Sequence, residues 1–373
     1  ERVIRDMLEV DEGDPFNKLL HAKSINNIKA RNLFQKVTTE INDTSDGNLK
    51  NINIIVEEKA TGEVLVGAGV GSEGGTAQFS ISENNFLGKG VVLSTGARIS
   101  EERIRGNFSI NNPNFNYTGK ALITDIFVTD TDKLSDSGYK STDAGFSFGT
   151  AFEQYDDLYF RPNFSTIYEN LTTNSSASNN LKKQEGIYFT TTFGYSLDYD
   201  KRNQRFQTSE GFRSKFSQKI PLISDSNTLV NGYQIDSFYT LSDITTSLGL
   251  YLRAANGLSD DIRISERLKL PRKRLRGFES GKIGPVDSKD YVGGNYAASL
   301  NFQSNLPFIF PSFQSVDFNY FIDAGSVWGV DYSSSVGDSR HLRSSTGVGL
   351  EWFSPIGPFT FTFAEPISKI DTD

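Results

Sequence analysis

Cysteine is absent from the 373 residues, which excludes disulfides, thiolate metal sites and cysteine nucleophiles. Histidine occurs only at His21 and His341, too few for a histidine-built zinc cage. No stretch approaches the ~18 consecutive apolar residues of a transmembrane helix, so a helical membrane protein is excluded. Cations are in the minority, with 38 Lys and Arg against 46 Asp and Glu. The resulting formal charge of -8 argues against a nucleic-acid partner, because phosphates demand a basic surface. No spacing of acid, base and nucleophile marks an active site, so neither catalysis nor a cofactor nor a metal is expected. The chain opens at Glu1 with no initiator Met or signal peptide, the expectation for an excised or mature segment.

Against these absences stand 29 Phe, 15 Tyr and 33 Gly, with a single Met. Aromatics favour strands and membrane-interface girdles. The mean hydropathy of -0.40 looks soluble. A membrane β-barrel produces the same average, because its strands meet lipid only at alternate residues and its lumen and loops are polar.

A boundary falls near residue 60. Before it, Asp14-Pro15 has the form of a helix start, since Asp caps free amides and Pro is tolerated at the first helical position. Leu19, Leu20, Ile25, Ile28, Leu33 and Phe34 then follow a helical period. A shorter helix is expected over Val3–Val10, and two strands around 36–42 and 51–57, making residues 1–60 a small α+β module.

From Gly62 onward the period becomes two. Val64, Val66, Ala68 and Val70 share one face of a strand whose other face is Gly67, Gly69 and Gly71. Phe189, Phe193, Tyr195, Leu197 and Tyr199 alternate with small or polar residues, as do Phe359, Phe361 and Phe363. A soluble barrel or sandwich also alternates, with its apolar face inside. Strands longer than the usual ~5–6 residues, with no second apolar layer, favour a membrane barrel, whose strands run ~9–11 residues. The alternation predicts about fifteen strands, centred near residues 67, 80, 95, 108, 124, 146, 162, 193, 214, 234, 249, 298, 320, 348 and 361. Bacterial single-chain barrels close with an even number, so one strand is missed or the chain stops before its last.

Between the strands near 249 and 298 runs a loop over about 257–291, a length that is usually functional or disordered. It carries Arg263, Arg267, Lys269, Arg272, Lys273, Arg274 and Arg276, then Gly277 and Phe278. Such a run can be a solvated face, a site for lipid phosphate or a set of internal ion pairs. In 317–325 the residues Phe318, Tyr320, Ile322 and Ala324 form the lipid-type face, which turns Asp317, Asn319 and Asp323 inward. A buried carboxylate needs a partner, and a loop arginine folded inside would supply one. A polar insert, Asn170–Gln184, reads as an exposed, species-specific loop.

At these positions the chain resembles the BamA family of outer-membrane protein assembly factors. Leu275-Arg276-Gly277-Phe278 resembles the family's Val-Arg-Gly-Phe loop motif, and Phe321-Ile322-Asp323-Ala324-Gly325 its Phe-x-Asp-x-Gly strand. Glu83–Gly90 is similar to the turn after the second barrel strand. Leu197–Arg202 followed by Gly211 is similar to a mid-barrel signature. Arg2-Val3-Ile4-Arg5 and Glu12–Phe16 resemble the final polypeptide-transport-associated (POTRA) module without its first strand. These blocks occur in order along nearly the whole chain.

The resemblance implies a mainly β fold: a sixteen-stranded transmembrane antiparallel barrel over 61–373, preceded by a POTRA-like periplasmic module. The last strand and its aromatic end are missing here, so an incomplete barrel is expected. It implies a lumenal loop in which Arg276, Gly277 and Phe278 meet Asp323 and Gly325. It also implies a lateral gate between the first and last strands, with Gly67, Gly69 and Gly71 on the gate strand; a tightly curved wall would use the same glycines. Gln303 stands where the family carries Glu, leaving a second carboxylate contact for Arg276 open. The implied function is assembly and insertion of outer-membrane β-barrel proteins. The implied partners are unfolded clients, accessory lipoproteins, periplasmic chaperones and outer-membrane lipid. A two-partner secretion or translocation-and-assembly transporter, or a passive pore, is the alternative.

Overall fold

The computed structural model describes residues 2–370 except 46–48, 72–73, 206, 308, 310–314, 332–335, 337–339 and 355–356. At the N-terminus, α1 (Arg2–Arg5) and α2 (Lys18–Ala30) are followed by β1 (Phe34–Asp43) and β2 (Lys50–Glu58), an antiparallel pair. The helix begins later than Asp14-Pro15 suggests. Asn17 is its cap, its side-chain oxygen accepting from the amides of Leu19 and Leu20 at 2.8 and 3.2 Å. Asp14 instead accepts from the Asp11 amide and closes a turn before the helix. Phe34 opens β1 rather than ending the helix, and the first helix stops at Arg5 rather than Val10. Met7, Ile25 and Ile28 form a small core onto which Val37 and Ile54 pack from the hairpin.

The remaining strands form one antiparallel sheet. They are β3 (Gly62–Gly71), β4 (Gly74–Phe86), β5 (Val91–Ser100), β6 (Arg103–Asn112), β7 (Ala121–Lys133), β8 (Tyr139–Tyr155), β9 (Leu158–Thr173), β10 (Gly186–Asp200), β11 (Gly211–Ser224), β12 (Thr228–Leu241) and β13 (Ile244–Gly257). After a long connection come β16 (Tyr296–Asn305), β17 (Val316–Trp328), β18 (Arg343–Ser354) and β19 (Gly357–Ser368). The connection itself holds a two-residue hairpin, β14 (Val286–Asp287) with β15 (Asp290–Tyr291). A short helix, α3 (Asn179–Lys182), lies between β9 and β10. All fifteen centres expected from the alternation fall inside the fifteen strands of this sheet. Its order is β19-β18-β17-β16-β13-β12-β11-β10-β9-β8-β7-β6-β5-β4-β3, and among the described residues no ladder joins β3 to β19.

The sheet nevertheless curls strongly. Gly277, in the long connection, lies so close to β19 that a Cβ added to it would sit 3.1 Å from Cβ of Ala364. Five residues later, Lys282 Nζ lies 3.4 Å from the Asp136 carboxylate in the β7–β8 turn. A flat sheet would separate those strands by roughly 45 Å, at about 4.8 Å per neighbour. Five residues reach at most about 18 Å, and a lysine side chain adds only a few more. The sheet must therefore wrap around the connection, which lies on its concave side.

The convex side is apolar. Val64, Val66, Phe79, Ile81, Ile126, Val128, Leu248, Leu252, Phe361 and Phe363 all expose their side chains. An aromatic row crosses four strands on that side, from Phe148 to Phe164 (5.4 Å between ring centroids), Phe164 to Phe193 (5.1 Å) and Tyr195 to Phe216 (6.1 Å). An outward apolar wall around a polar interior inverts a soluble sandwich and suits lipid. No helix among the described residues is long and apolar enough to cross a membrane.

Candidate functional site

The connection 258–295 is ordered because it carries its own core into the concave space. Leu268, Leu270, Leu275, Phe278 and Ile283 bury together against Tyr251, Ala297 and Val327 of the wall. Roughly 25 cal/mol per Å² of apolar surface buried supplies the drive, and the polar backbone is then steered by ion pairs. The basic run is the source of those pairs. Arg263 contacts Glu169, Arg267 pairs with Asp331, Arg274 with Asp236 and Arg276 with Asp323. Of the three meanings the run allowed in sequence, internal pairing is the one seen for these four arginines. Arg272 and Lys273 line a cavity beneath the loop, alongside Arg274 and Arg276.

Arg276 and Asp323 make the densest contact. Arg276 Nε donates to Asp323 Oδ2 at 2.7 Å and Nη2 to Oδ1 at 2.8 Å, a fork that fits a planar carboxylate. The Arg276 backbone amide adds a third bond to Oδ2 at 3.0 Å. Asp323 is fully buried, and Asn301 Nδ2 donates to its Oδ1 at 2.8 Å. Gln303 takes the remaining Arg276 Nη1 on its side-chain oxygen at 2.9 Å, so a neutral acceptor stands where a second carboxylate was in question.

Beneath the guanidinium lies Phe321, with the Arg276 carbon 3.5 Å from the ring centroid and the ring itself fully buried. Alternation places Phe321 on the inner face, but nothing in the sequence marks it as a platform. The space it occupies comes from Gly347, where an added Cβ would lie 2.7 Å from the ring. Gly277, with φ of 90°, adopts the left-handed backbone that L side chains rarely take, and it passes against Ser345 and Ala364. Ser345 Oγ donates to the Arg276 carbonyl. Phe278 is buried in the loop core, and Gly325 lets Leu270 approach the wall.

Gly67, Gly69 and Gly71 lie elsewhere, on edge strand β3. Gly67 and Gly69 have no left-handed backbone; they leave room over Gln78 and Thr76 of β4. Gly71 pairs in register with Gly74. They sit on a different strand from every partner named for Arg276, so the residues singled out in the sequence fall into two separate groups.

A second buried carboxylate stands in the mid-barrel block. Asp198 accepts two bonds from Arg213, at 2.8 and 2.7 Å, and one from Arg161 at 2.8 Å. Its arginine partners lie on adjacent strands, beyond the reach of a linear motif.

The polar insert is not an exposed decoration. Asn170–Thr173 belong to β9, and Leu181 of α3 is fully buried with Leu171, Ala177, Ile264 and Val292. Ser178 Oγ and Asn180 Nδ2 donate to Asp287 Oδ2 at 2.6 and 3.1 Å, fastening the insert to the long connection. Its Asn and Ser content, read as solvation, serves capping and inter-loop bonds.

Comparison with known proteins places this architecture. The Omp85 superfamily domain matches residues 85–373. The chain is 26% identical over 374 residues to the outer membrane protein assembly factor BamA of Neorickettsia risticii (strain Illinois), covering 96% of this chain and 49% of that protein. It is 26% identical to BamA of Neisseria meningitidis serogroup B, covering 86% and 46%. The chain thus spans about half the length of these curated relatives. Among solved structures, BamA from Haemophilus ducreyi lacking POTRA domains 1–3 superposes with a TM-score of 0.87 at 20% identity, covering 100% of this chain and 79% of that one. CdiB from Acinetobacter baumannii shares the fold at a TM-score of 0.63 and 11% identity, covering 99% and 68%. The domain match takes in every strand from β5 onward and both sides of the Arg276–Asp323 contact, and by it this chain belongs to the Omp85 superfamily.

Proposed function

We propose that this chain is the membrane-embedded part of a machine that assembles and inserts other β-barrel proteins in the outer membrane. One observation carries the reading. A loop paired through Arg276 to Asp323 occupies the concave side of a chain that aligns, over 96% of its length, with a protein named as an outer-membrane assembly factor. A passive pore has no use for an interior so occupied.

In this reading residues 1–60 are a POTRA-like periplasmic module and 61–373 the barrel. The machine forms no covalent intermediate and needs no cofactor. Unfolded outer-membrane proteins are the clients, delivered by periplasmic chaperones, with accessory lipoproteins bound at the module and outer-membrane lipid around the barrel. Client strands add at the lateral gate bounded by β3 and the last strand, where backbone N–H and C=O groups act as a template. Gly67, Gly69 and Gly71 lighten the β3 side of that gate, since glycine weakens a strand. The Arg276–Asp323 pair keeps the loop docked on β17, two strands from the β19 edge, so the wall beside the gate stays rigid while the gate strands separate.

The test is client folding. The full-length protein that carries this chain is reconstituted in lipid vesicles with an unfolded barrel protein, and folding is followed by heat-modifiable gel shift. Acceleration by the wild type, weakened by Arg276→Ala, is the expected result. Solute flux without acceleration would replace the reading with a secretion transporter or a pore.

A further inference from the structure

Five inward residues on five consecutive strands stand opposite one another in register: Asp236 on β12, Gly249 on β13, Asn301 on β16, Asp323 on β17 and Ser345 on β18. Every one of them meets the three-residue stretch Arg274-Leu275-Arg276. Arg274 Nη1 and Nη2 donate to the two Asp236 oxygens at 2.8 and 3.1 Å. Asn301 Nδ2 donates both to the Arg274 carbonyl, at 2.9 Å, and to Asp323 Oδ1, at 2.8 Å. Arg276 forks onto Asp323, and Ser345 Oγ donates to its carbonyl. Gly249 has no side chain to intrude: an added Cβ would sit 2.7 Å from Asp236 Oδ1 and 2.8 Å from Arg274 Nη1.

We infer that Arg274 is a second anchor of the loop, and that Arg274-Leu275-Arg276 is a staple laid across the strands, holding β12 to β18 as one panel. Spanning from Asp236 to Asp323 takes three strand intervals, roughly 14 Å. Residues 274 and 276 are at most about 7 Å apart along the backbone, so two long arginines reaching opposite ways close the difference. Leu275, buried between them, fixes the backbone from the other side. Arginine suits both ends because each planar fork fits only one orientation of its carboxylate. A slip of any ladder within the panel by even one residue would move a row member off the staple and onto the opposite face. Asn301 joins the two pairs, so loss of one anchor must be felt at the other. Arg274 is thus a positioning residue for Arg276. The staple stands on geometry, and only its effect on clients rests on the insertase reading.

The experiment measures loop cleavage by proteinase K in the folded full-length protein, and client folding in parallel. Arg274→Ala is expected to raise the loop cleavage rate about tenfold, as for loss of one partly exposed charge-assisted fork. Its own barrel should keep its gel shift. The exchange Arg274→Asp with Asp236→Arg should restore protection. Arg274→Ala combined with Arg276→Ala should depart from additivity, because the two pairs share Asn301. If Arg274→Ala fails to fold, Gly249→Ala tests the same pair, its Cβ crowding Asp236 Oδ1 and Arg274 Nη1 and resting in ordinary contact with Asn301 Cβ. Wild-type protection in a folded variant, or no rescue by the exchange, would overturn the staple. Lost and rescued protection with client folding unchanged in both the Arg274 and Arg276 variants would keep the staple and sink the insertase role of the loop.

Discussion

Replacing Arg276 by alanine removes the guanidinium and leaves the Asp323 carboxylate fully buried. Two donors remain to it, the backbone amide of residue 276 at 3.0 Å and Asn301 Nδ2 at 2.8 Å. Stripping one partner from a buried ion pair costs about 3–5 kcal/mol, because the surviving charge is uncompensated. The bond to Gln303 adds about 1 kcal/mol and the Phe321 stacking about 0.5–2 kcal/mol, although such contributions overlap. With two donors retained, a loss of about 3–4 kcal/mol in loop docking is expected. At about 1.4 kcal/mol per factor of ten, the undocked population rises by roughly two to three orders of magnitude. Protease cleavage within 258–295 reads that population directly when opening is fast relative to cleavage. Removing Asp323 as well discards the stranded charge, so Arg276→Ala/Asp323→Ala should recover about 1–2 kcal/mol relative to Arg276→Ala. Wild-type protection in the single variant would refute the reasoning, as would a double variant cleaved faster than the single.

Gln303→Glu should be tolerated and should slow loop cleavage slightly, since Arg276 Nη1 would then donate to a charged acceptor; faster cleavage would count against the contact. Leu181→Ala should destabilise the cap of the long connection by about 2–5 kcal/mol, seen as earlier thermal release of the 174–185 segment in hydrogen exchange. Lys269 donates to Ser137 Oγ at 2.8 Å inside the loop. Desolvation, helped by Lys133, lowers its pKa from 10.5 to about 7. The docked loop therefore disfavours the charged lysine, so docking should strengthen as pH rises from about 7 toward 10.5, and the penalty should be complete below pH 7. Lys269→Met should flatten that pH dependence of cleavage; an unchanged slope would mean that another group controls it.

Residue order alone determined the strands. Period-two alternation from Gly62 to Phe363 reports which face each side chain takes, because successive Cβ atoms in a strand point to opposite sides. That was enough to locate fifteen strands and to turn Asp323 inward. The basic run by itself allowed three meanings, and it was the resemblance to the BamA family that singled out Arg276 as the partner of the inward Asp323.

Tertiary structure decided what depends on register and curvature. Phe321 becomes a platform for Arg276 only because Gly347, on the neighbouring strand, leaves room for the ring. Arg274 finds Asp236 because five strands align one row of residues beneath the loop, and no window of sequence contains both. The helix start moved from Asp14 to Asn17 because competing local bonds closed a turn first. The insert around Leu181 looked exposed because its polar residues outnumber its two leucines, yet Leu181 meets a core assembled from segments more than 80 residues apart. Local periodicity encodes which side of a strand faces in; which distant groups then meet depends on how the sheet curls around the loop.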